Sequence, residues 1–354
     1  MNFCERLHFE HIIIDSDGPS DPHIKALGDI NGDGIAEVII PSSKGGPLVW
    51  YEYPNWTKHI IADSGNWSCS ALVVDMDGDG DGDILISDWS KNNRIEWYEN
   101  PLPSGNPATD QWKRHIIGSP KAHDIDLGDV DCDGNIEFIT RWKDREGSKF
   151  YVWKKKDDGS WINRSVDCPA GEGIALGDID NDGKLEIIIG GRWYKSYGDI
   201  INDPWKGNIY ADWQEDAVVK AGDINNDGRI EIVLTKTEGI HRISWFEVPS
   251  NPEDKWIEHI IDDAIDCAHS LAIYDIDGDG KPDIITAEQH HSIKKRVIIY
   301  YNKGKGLEWE MQVIGNTGSH NICVADIDGD GKPDIMGANW TGNYQPIEAW
   351  LNRG

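Results

Sequence analysis

The sequence predicts an all-β protein, a seven-bladed β-propeller built from four-stranded antiparallel blades. Three observations carry this. One nine-residue pattern recurs seven times, each copy sits among four strand-like runs, and the two ends of the chain complement each other as parts of a single blade.

The copies are DINGDGIAE at 29–37, DMDGDGDGD at 75–83, DVDCDGNIE at 129–137, DIDNDGKLE at 178–186, DINNDGRIE at 223–231, and DIDGDGKPD at both 275–283 and 326–334. They recur roughly every 50 residues, which is repeat architecture rather than a chain of unrelated units. Seven such periods occupy nearly the whole chain, so residues 1–354 are expected to form one propeller domain with a loop of this type in each blade.

Each repeat reads the same way. A run such as HIKALGD or HDIDLGD enters the loop, and a β-branched run such as AEVIIP, LEIIIG or IEIVLT leaves it, which is strand composition on both sides. A third run alternates aromatics (PLVWYEYP, NRIEWYEN, KFYVWKK, HRISWFEVP), and a fourth carries Trp and His-Ile-Ile (NWTKHII, QWKRHII, KWIEHII). Four strands in about 50 residues is the content of one propeller blade. The chain begins with LHFEHIII, a fourth-type run, and ends with QPIEAWLN, a third-type run. A strand at 8–14 is therefore expected to pair with one at 346–352 and close the ring, removing the exposed sheet edges.

The 354 residues include 34 Lys+Arg against 63 Asp+Glu, a net charge of −29. Phosphate backbones and anionic lipid would repel such a chain, so nucleic acid and membrane surfaces are poor partners. No apolar run approaches the roughly 20 residues that cross a bilayer. The first residues, MNFCERLHFEHIII, are charged where an export signal is apolar. The expected location is extracellular or periplasmic with the signal missing from this chain, the alternative being cytoplasmic. Six cysteines (Cys4, Cys69, Cys132, Cys168, Cys267, Cys323) are scattered without CxxC spacing, so they are expected to be small buried apolar residues and not disulfides.

The pattern Dx[DN]xDGxx[DE], once per blade, resembles the FG-GAP/VCBS repeat family, although the literal FG and GAP signatures are absent. The resemblance implies a structural Ca²⁺ in each loop, up to seven. The residue chemistry agrees, because alternate carboxylates offer the oxygens a hard cation takes and Gly at the sixth position allows the sharp turn. The expected ligands are Asp29, Asn31, Asp33 and Glu37; Asp75, Asp77, Asp79 and Asp83; Asp129, Asp131, Asp133 and Glu137; and Asp178, Asp180, Asp182 and Glu186. They continue with Asp223, Asn225, Asp227 and Glu231; Asp275, Asp277, Asp279 and Asp283; and Asp326, Asp328, Asp330 and Asp334. An EF-hand would need flanking helices and a Glu at the twelfth position, and neither is present.

In a propeller the first strand lines the central channel, so the residue just before it stands at the mouth opposite the loops. Six places before each first Asp are His23, Cys69, His123, Glu172, Ala217, His269 and His320, four histidines in seven places where the chain holds only 12 in all. Metal ligation by Zn²⁺ or Mn²⁺ and acid–base catalysis are the sharp readings, and a hydrogen-bonded plug of imidazoles is the bland one. A second set, His11, His59, His115 and His259, shares a position on the outermost strand and reads as structural. The loops after the second strands end on the same mouth. They carry Trp89, Trp142, Trp193 and Trp340 as stacking platforms for sugar rings or else as core residues, Arg141 and Arg192 as carboxylate clamps, and Glu288, His290 and His291 beside His269.

Within the calcium-loop propellers, the His-before-loop and WYEN-like patterns resemble the sugar-processing branch that includes aldos-2-ulose dehydratase and rhamnogalacturonan lyases. That resemblance implies a carbohydrate lyase or dehydratase working by β-elimination on a keto or uronic-acid sugar. Such chemistry needs a cation for the enolate (Arg141, Arg192 or a His-bound metal), a base (His123, His269 or His320) and an acid (Tyr194 or a second His). His23 and Glu172 join the tryptophans as substrate contacts. A non-catalytic carbohydrate-binding or adhesion propeller is the alternative. A glycoside hydrolase is a third, with Glu172 and Glu288, and Asp88 or Glu238, as its carboxylates. The expected partner is a carbohydrate, acidic oligo- or polysaccharide included, and the expected state a monomer. Of the 28 loop positions 26 are acidic, so the surface apart from the loops is nearly balanced and an acidic sugar is not excluded from the other face.

Overall fold

The computed structural model of the protein describes residues 6–142, 148–213 and 216–354. Among these residues there are seven four-stranded antiparallel sheets and no helix. The first strands are Ala26–Gly28, Trp67–Val74, Asp124–Gly128, Ala175–Gly177, Ala217–Gly222, Ala268–Tyr274 and Asn321–Ala325, opening blades one to seven. Each touches the next, and the last touches the first, so the sheets stand as a closed seven-bladed ring around a central channel.

Blades one to six are simple meanders, while blade seven takes its outer strand from the other end of the chain. Phe9–Asp15 pairs with Ile347–Asn352, from Phe9 opposite Asn352 to Asp15 opposite Ile347, with a bulge after Ile13. This is the closure the terminal half-repeats predict, displaced by one residue.

Crowding at the axis explains the glycine that precedes most loops. A Cβ on Gly28 would lie 2.6 Å from Val73 of the next blade, and one on Gly128 would lie 2.5 Å from Leu185. The neighbouring blade approaches too closely there for a side chain.

The core lies between blades rather than within them. Val38, Ile40, Val49 and Tyr51 of blade one, for instance, pack on Met336, Ala338, Ile347 and Ala349 of blade seven. Third-strand Trp50, Trp97, Trp153, Trp245 and Trp350 are all buried. The outer histidines are explained by these rings: His59 stacks on Trp50 at 4.3 Å, His115 on Trp97 at 4.1 Å, His259 on Trp245 at 4.1 Å and His11 on Trp350 at 5.2 Å. Each also bonds a carboxylate, respectively Glu52, Glu99, Glu247 and Glu348.

Among the described residues all five cysteines are free. Cys69 and Cys267 are buried as expected, but Cys132 is exposed, because it occupies the fourth position of the third loop and bonds the Gly183 carbonyl of the next loop at 2.9 Å. Cys4 lies outside the described residues.

Candidate functional site

Two places concentrate chemistry, on opposite faces of the ring. On one face, all seven repeat loops adopt a single geometry. The first Asp accepts the N–H of the sixth-position glycine at 2.8 to 3.0 Å. The ninth carboxylate accepts the N–H of the second residue at 2.8 to 3.1 Å. The sixth position has φ between +83° and +97° in every loop, which is why it is always Gly.

These loops fit a hard cation. In blades two, three, four, six and seven, three carboxylates each bring an oxygen within 4.8 Å of the others. Burial pushes the ninth carboxyl up to about 7 in Glu37, Asp83, Glu137, Glu186, Glu231 and Asp283, and to about 6 in Asp334. A buried acid under that penalty is one that a bound cation would restore to the ionised form. In loops one and five the Asn31 and Asn225 amides donate to Glu37 and Glu231 at 2.9 and 3.1 Å, so the third ligand there is neutral. In loops three and four a lysine from the third strand already stands among the carboxylates, Lys154 in one and Lys195 in the other.

On the other face, six of the seven residues that stand six places before the loops meet, Ala217 being the exception. His23, Cys69, His123, Glu172, His269 and His320 line one cavity of about 370 Å³ that continues down the channel over Leu27, Val73 and Val324. Bulges deliver two of them: strand pairing slips between Trp67 and Ala71 and between Ala268 and Ser270, which takes Cys69 and His269 out of the normal alternation. Cys69 holds φ at 74°, a strained conformation for a residue with a side chain.

Glu172 is the hub. It accepts from His123 Nε2 at 2.8 Å and from His269 Nε2 at 3.3 Å, joining blades three, four and six. His123 Nδ1 faces Asp124 at 3.2 Å, so both its nitrogens point at carboxylates. His269 stacks on His320 at 4.1 Å, His320 lies 4.5 Å from His23, and Trp340 covers His23 at 4.5 Å. His23 also meets Ser68 and the Cys69 backbone N–H.

The ring is split electrostatically. Burial and the neighbouring His123 and Lys25 hold His23 well below 6.5, and burial with His269 and His23 does the same to His320. His123 goes the other way: burial opposes its charge, but Cys69 and Asp124 outweigh that and raise it well above 6.5. Burial would raise Glu172, yet the His123 and His269 hydrogen bonds drive it far below the carboxylate range. A cationic His123 thus faces two neutral imidazoles in one cavity.

Among the described residues no three donor atoms of this mouth lie within 4.8 Å of one another, so the expected Zn²⁺ or Mn²⁺ finds no ready coordination set there. His290 rests against His291 at 4.0 Å and near Trp340 at 5.9 Å, with both ring nitrogens buried and lacking a hydrogen-bond partner. Burial, then His291, lowers it to about 4. His291 itself is exposed. Trp89 and Trp142 pair at 5.1 Å on the blade-three side, with the Lys121 ammonium over both rings at 4.3 and 4.8 Å.

Several expected site residues are elsewhere. The segment 191–194 is not a mouth loop, because a tight turn leads straight into the strand Arg192–Ser196. That places Trp193 in the core between blades four and five, and Tyr194 against Phe150 at 5.0 Å with its hydroxyl pushed by burial up to about 12. Neither a sugar platform nor a proton donor survives in that setting. Arg192 lines a separate cavity with Pro169 and Trp213. Arg141 is fully buried and donates to the carbonyls of Glu172, Gly173 and Pro169, so it holds the backbone under Glu172 and does not clamp a substrate. Glu288 is consumed by Arg296 and Ser292, and Asp88 pairs with Arg94.

Sequence reasoning missed Lys25 and Lys121. Lys25 stands two residues after His23 on the same channel-facing side, an alternation that marks it in advance. It is buried in the cavity, donates to the Ala338 carbonyl at 2.6 Å, and is lowered by burial to about 7. Lys121 lies two residues before His123 with no pattern to flag it.

Comparison with known proteins agrees at the level of repeat and fold. Residues 29–86, 223–286 and 275–337 match the FG-GAP-like repeat, so the chain carries repeats of that kind. Among solved structures, the Dos1 propeller is similar over 97% of this chain and 95% of its own, at 10% identity and a TM-score of 0.58, which is a likeness of fold alone. A luciferin-regenerating enzyme is similar over 98% and 96%, at 9% identity and a TM-score of 0.48. No curated protein matches the sequence.

Proposed function

We propose that the channel mouth is a carbohydrate site where histidines perform acid–base chemistry, the reaction being β-elimination on a keto or uronic-acid sugar. The observation that supports it is the split within one cavity between cationic His123, held by Glu172 and Asp124, and the low-pKa pair His23 and His320. A neutral imidazole takes the proton α to the carbonyl or carboxylate. The electron pair forms the new double bond, the β carbon–oxygen bond breaks, and His123, exchanging its longer contact with Asp124 for the departing oxygen, protonates it. Lys25 beneath the ring supplies positive charge for the enolate, in the role first expected of Arg141 and Arg192. Trp340, Trp89 and Trp142, with Lys121, form a rim suited to a pyranose ring bearing negative charge. Loops on the far face that lack an internal lysine hold Ca²⁺ as a structural ion. A calcium-rich location outside the cytoplasm and a monomeric state complete this reading.

The test is incubation with uronic-acid polysaccharides and keto sugars while ultraviolet absorbance of a new conjugated double bond is followed. A rise that His123→Ala abolishes supports elimination. Saturable binding without absorbance or new reducing ends would instead make this a binding propeller, the reading favoured by the close mutual stacking of His23, His320 and His269. Glycoside hydrolysis has little support, since Asp88 and Glu288 are engaged by arginines and the cavity's two carboxylates, Glu172 and Asp124, both face His123.

A further inference from the structure

The seven loops share one backbone but not one cation. Continuing the printed strand pairing by one residue sets a third-strand residue opposite the ninth carboxylate. By register this residue is Glu52, Glu99, Lys154, Lys195, Glu247, Tyr301 and Leu351 in blades one to seven. Only blades three and four place a lysine there.

Both lysines reach the same point. Lys154 Nζ is 2.5 Å from Asp131, 2.7 Å from Asp133 and 3.4 Å from Glu137. Lys195 Nζ is 2.6 Å from Asp180, 2.7 Å from Asp182 and 3.1 Å from Glu186. In each loop these are the third, fifth and ninth positions, three of the four carboxylates expected to ligate an ion. A Ca²⁺ takes its oxygens at about 2.3–2.6 Å, so an ion and this ammonium would compete for the same space. The two cations also repel, and the Lys195 side chain is only 7% exposed, leaving it little solvent to retreat into.

The other loops differ. In blade six Lys303 touches Asp277 at 3.1 Å, and in blade seven Arg353 touches Asp328 and Asp330 from the rim with a side chain 34% exposed. These contacts are with the third and fifth positions of their loops. Blades one, two and five carry a third-strand Glu at the register position instead.

We propose that in blades three and four the ammonium groups of Lys154 and Lys195 take the place of Ca²⁺, so that these two loops are neutralised from within the chain and bind no ion. A tethered ammonium is always present at its loop, whatever the calcium concentration. These are also the blades that contribute His123 and Glu172, so the pair at the hub of the mouth rests on the two loops that need no metal.

The experiment is equilibrium dialysis of the intact protein against Ca²⁺ followed by metal analysis. The wild type is expected to hold five ions or fewer, and Asp131→Asn with Asp180→Asn to leave that number unchanged. Lys154→Met with Lys195→Met is expected to hold up to two more. Seven ions in the wild type, or a loss of two on the Asp→Asn changes, would overturn the proposal. So would a folded Lys→Met variant, checked by circular dichroism, that gains none. The Asp→Asn arm retains its force if the Lys→Met variant does not fold, and both arms are independent of whether the mouth is catalytic.

Discussion

His123 and Glu172 show how much one position depends on its neighbours. His123 carries its charge because Asp124 and Glu172 face its two nitrogens, while His320, seated among imidazoles, does not. For the proposed reaction the base must be neutral and His123 protonated. Activity should therefore fall on the acid side only below 6.5, as His320 and His23 protonate, and on the alkaline side only above 6.5, as Lys25, lowered to about 7, and His123 lose their protons. A pH–kcat/KM profile checks this, and an alkaline limb at or below 6.5 would refute the assignment of His123. Removing His123 by alanine should cost about 10²–10⁴-fold in kcat. Arg141 belongs to a different category. Arg141→Ala would take the guanidinium from the Gly173 and Pro169 carbonyls and leave Glu172's with the Ala217 N–H, and urea unfolding should show a loss on the order of 3 kcal/mol. The histidine positions were legible because the repeat register aligns them, whereas Arg141 looked like a ligand clamp because nothing local says which way a strand-end guanidinium turns.

Each strand type has a task that its composition announces. The third strand's Trp fills the space beneath a fourth-strand His, and the pair is completed by a carboxylate. Trp245→Ala should cost about 3–5 kcal/mol and His259→Ala about 1 kcal/mol, read by thermal or urea denaturation. The loops should contribute through their ions. Chelation should lower the melting temperature by several degrees and added Ca²⁺ should restore it, whereas a melting temperature indifferent to chelator would mean the loops are not loaded. The four strand types were readable from periodicity, since alternation and β-branching are local properties. The expectation failed at 190–194, where a two-residue turn starts the third strand early and turns a supposed binding loop into core.

The ring closes by pairing the two ends of the chain, so blade seven is stable only when both are present. Deleting residues 1–15 should expose the edge at Ile347–Asn352 and produce association on size-exclusion chromatography together with a broader unfolding transition. The net charge of −29 also takes its meaning from the whole ring. Most of the acids beyond charge balance sit in loops that gather on one face, while the mouth on the other carries Lys25, Lys121 and a cationic His123.

The number of blades, the strand order, the terminal closure and the common geometry of the loops were set by the sequence itself, because each depends on a pattern repeated about every 50 residues. What only the tertiary structure decided is which side chains of different blades meet. Glu172 reaches both His123 and His269, Arg141 turns to the backbone beneath Glu172, Tyr194 faces the core, and Lys154 and Lys195 enter the loops. A repeat fixes where a residue stands in its own blade. The charge it carries and the partner it finds depend on the blade beside it or across the channel, through burial and distances of a few ångströms that no linear spacing records.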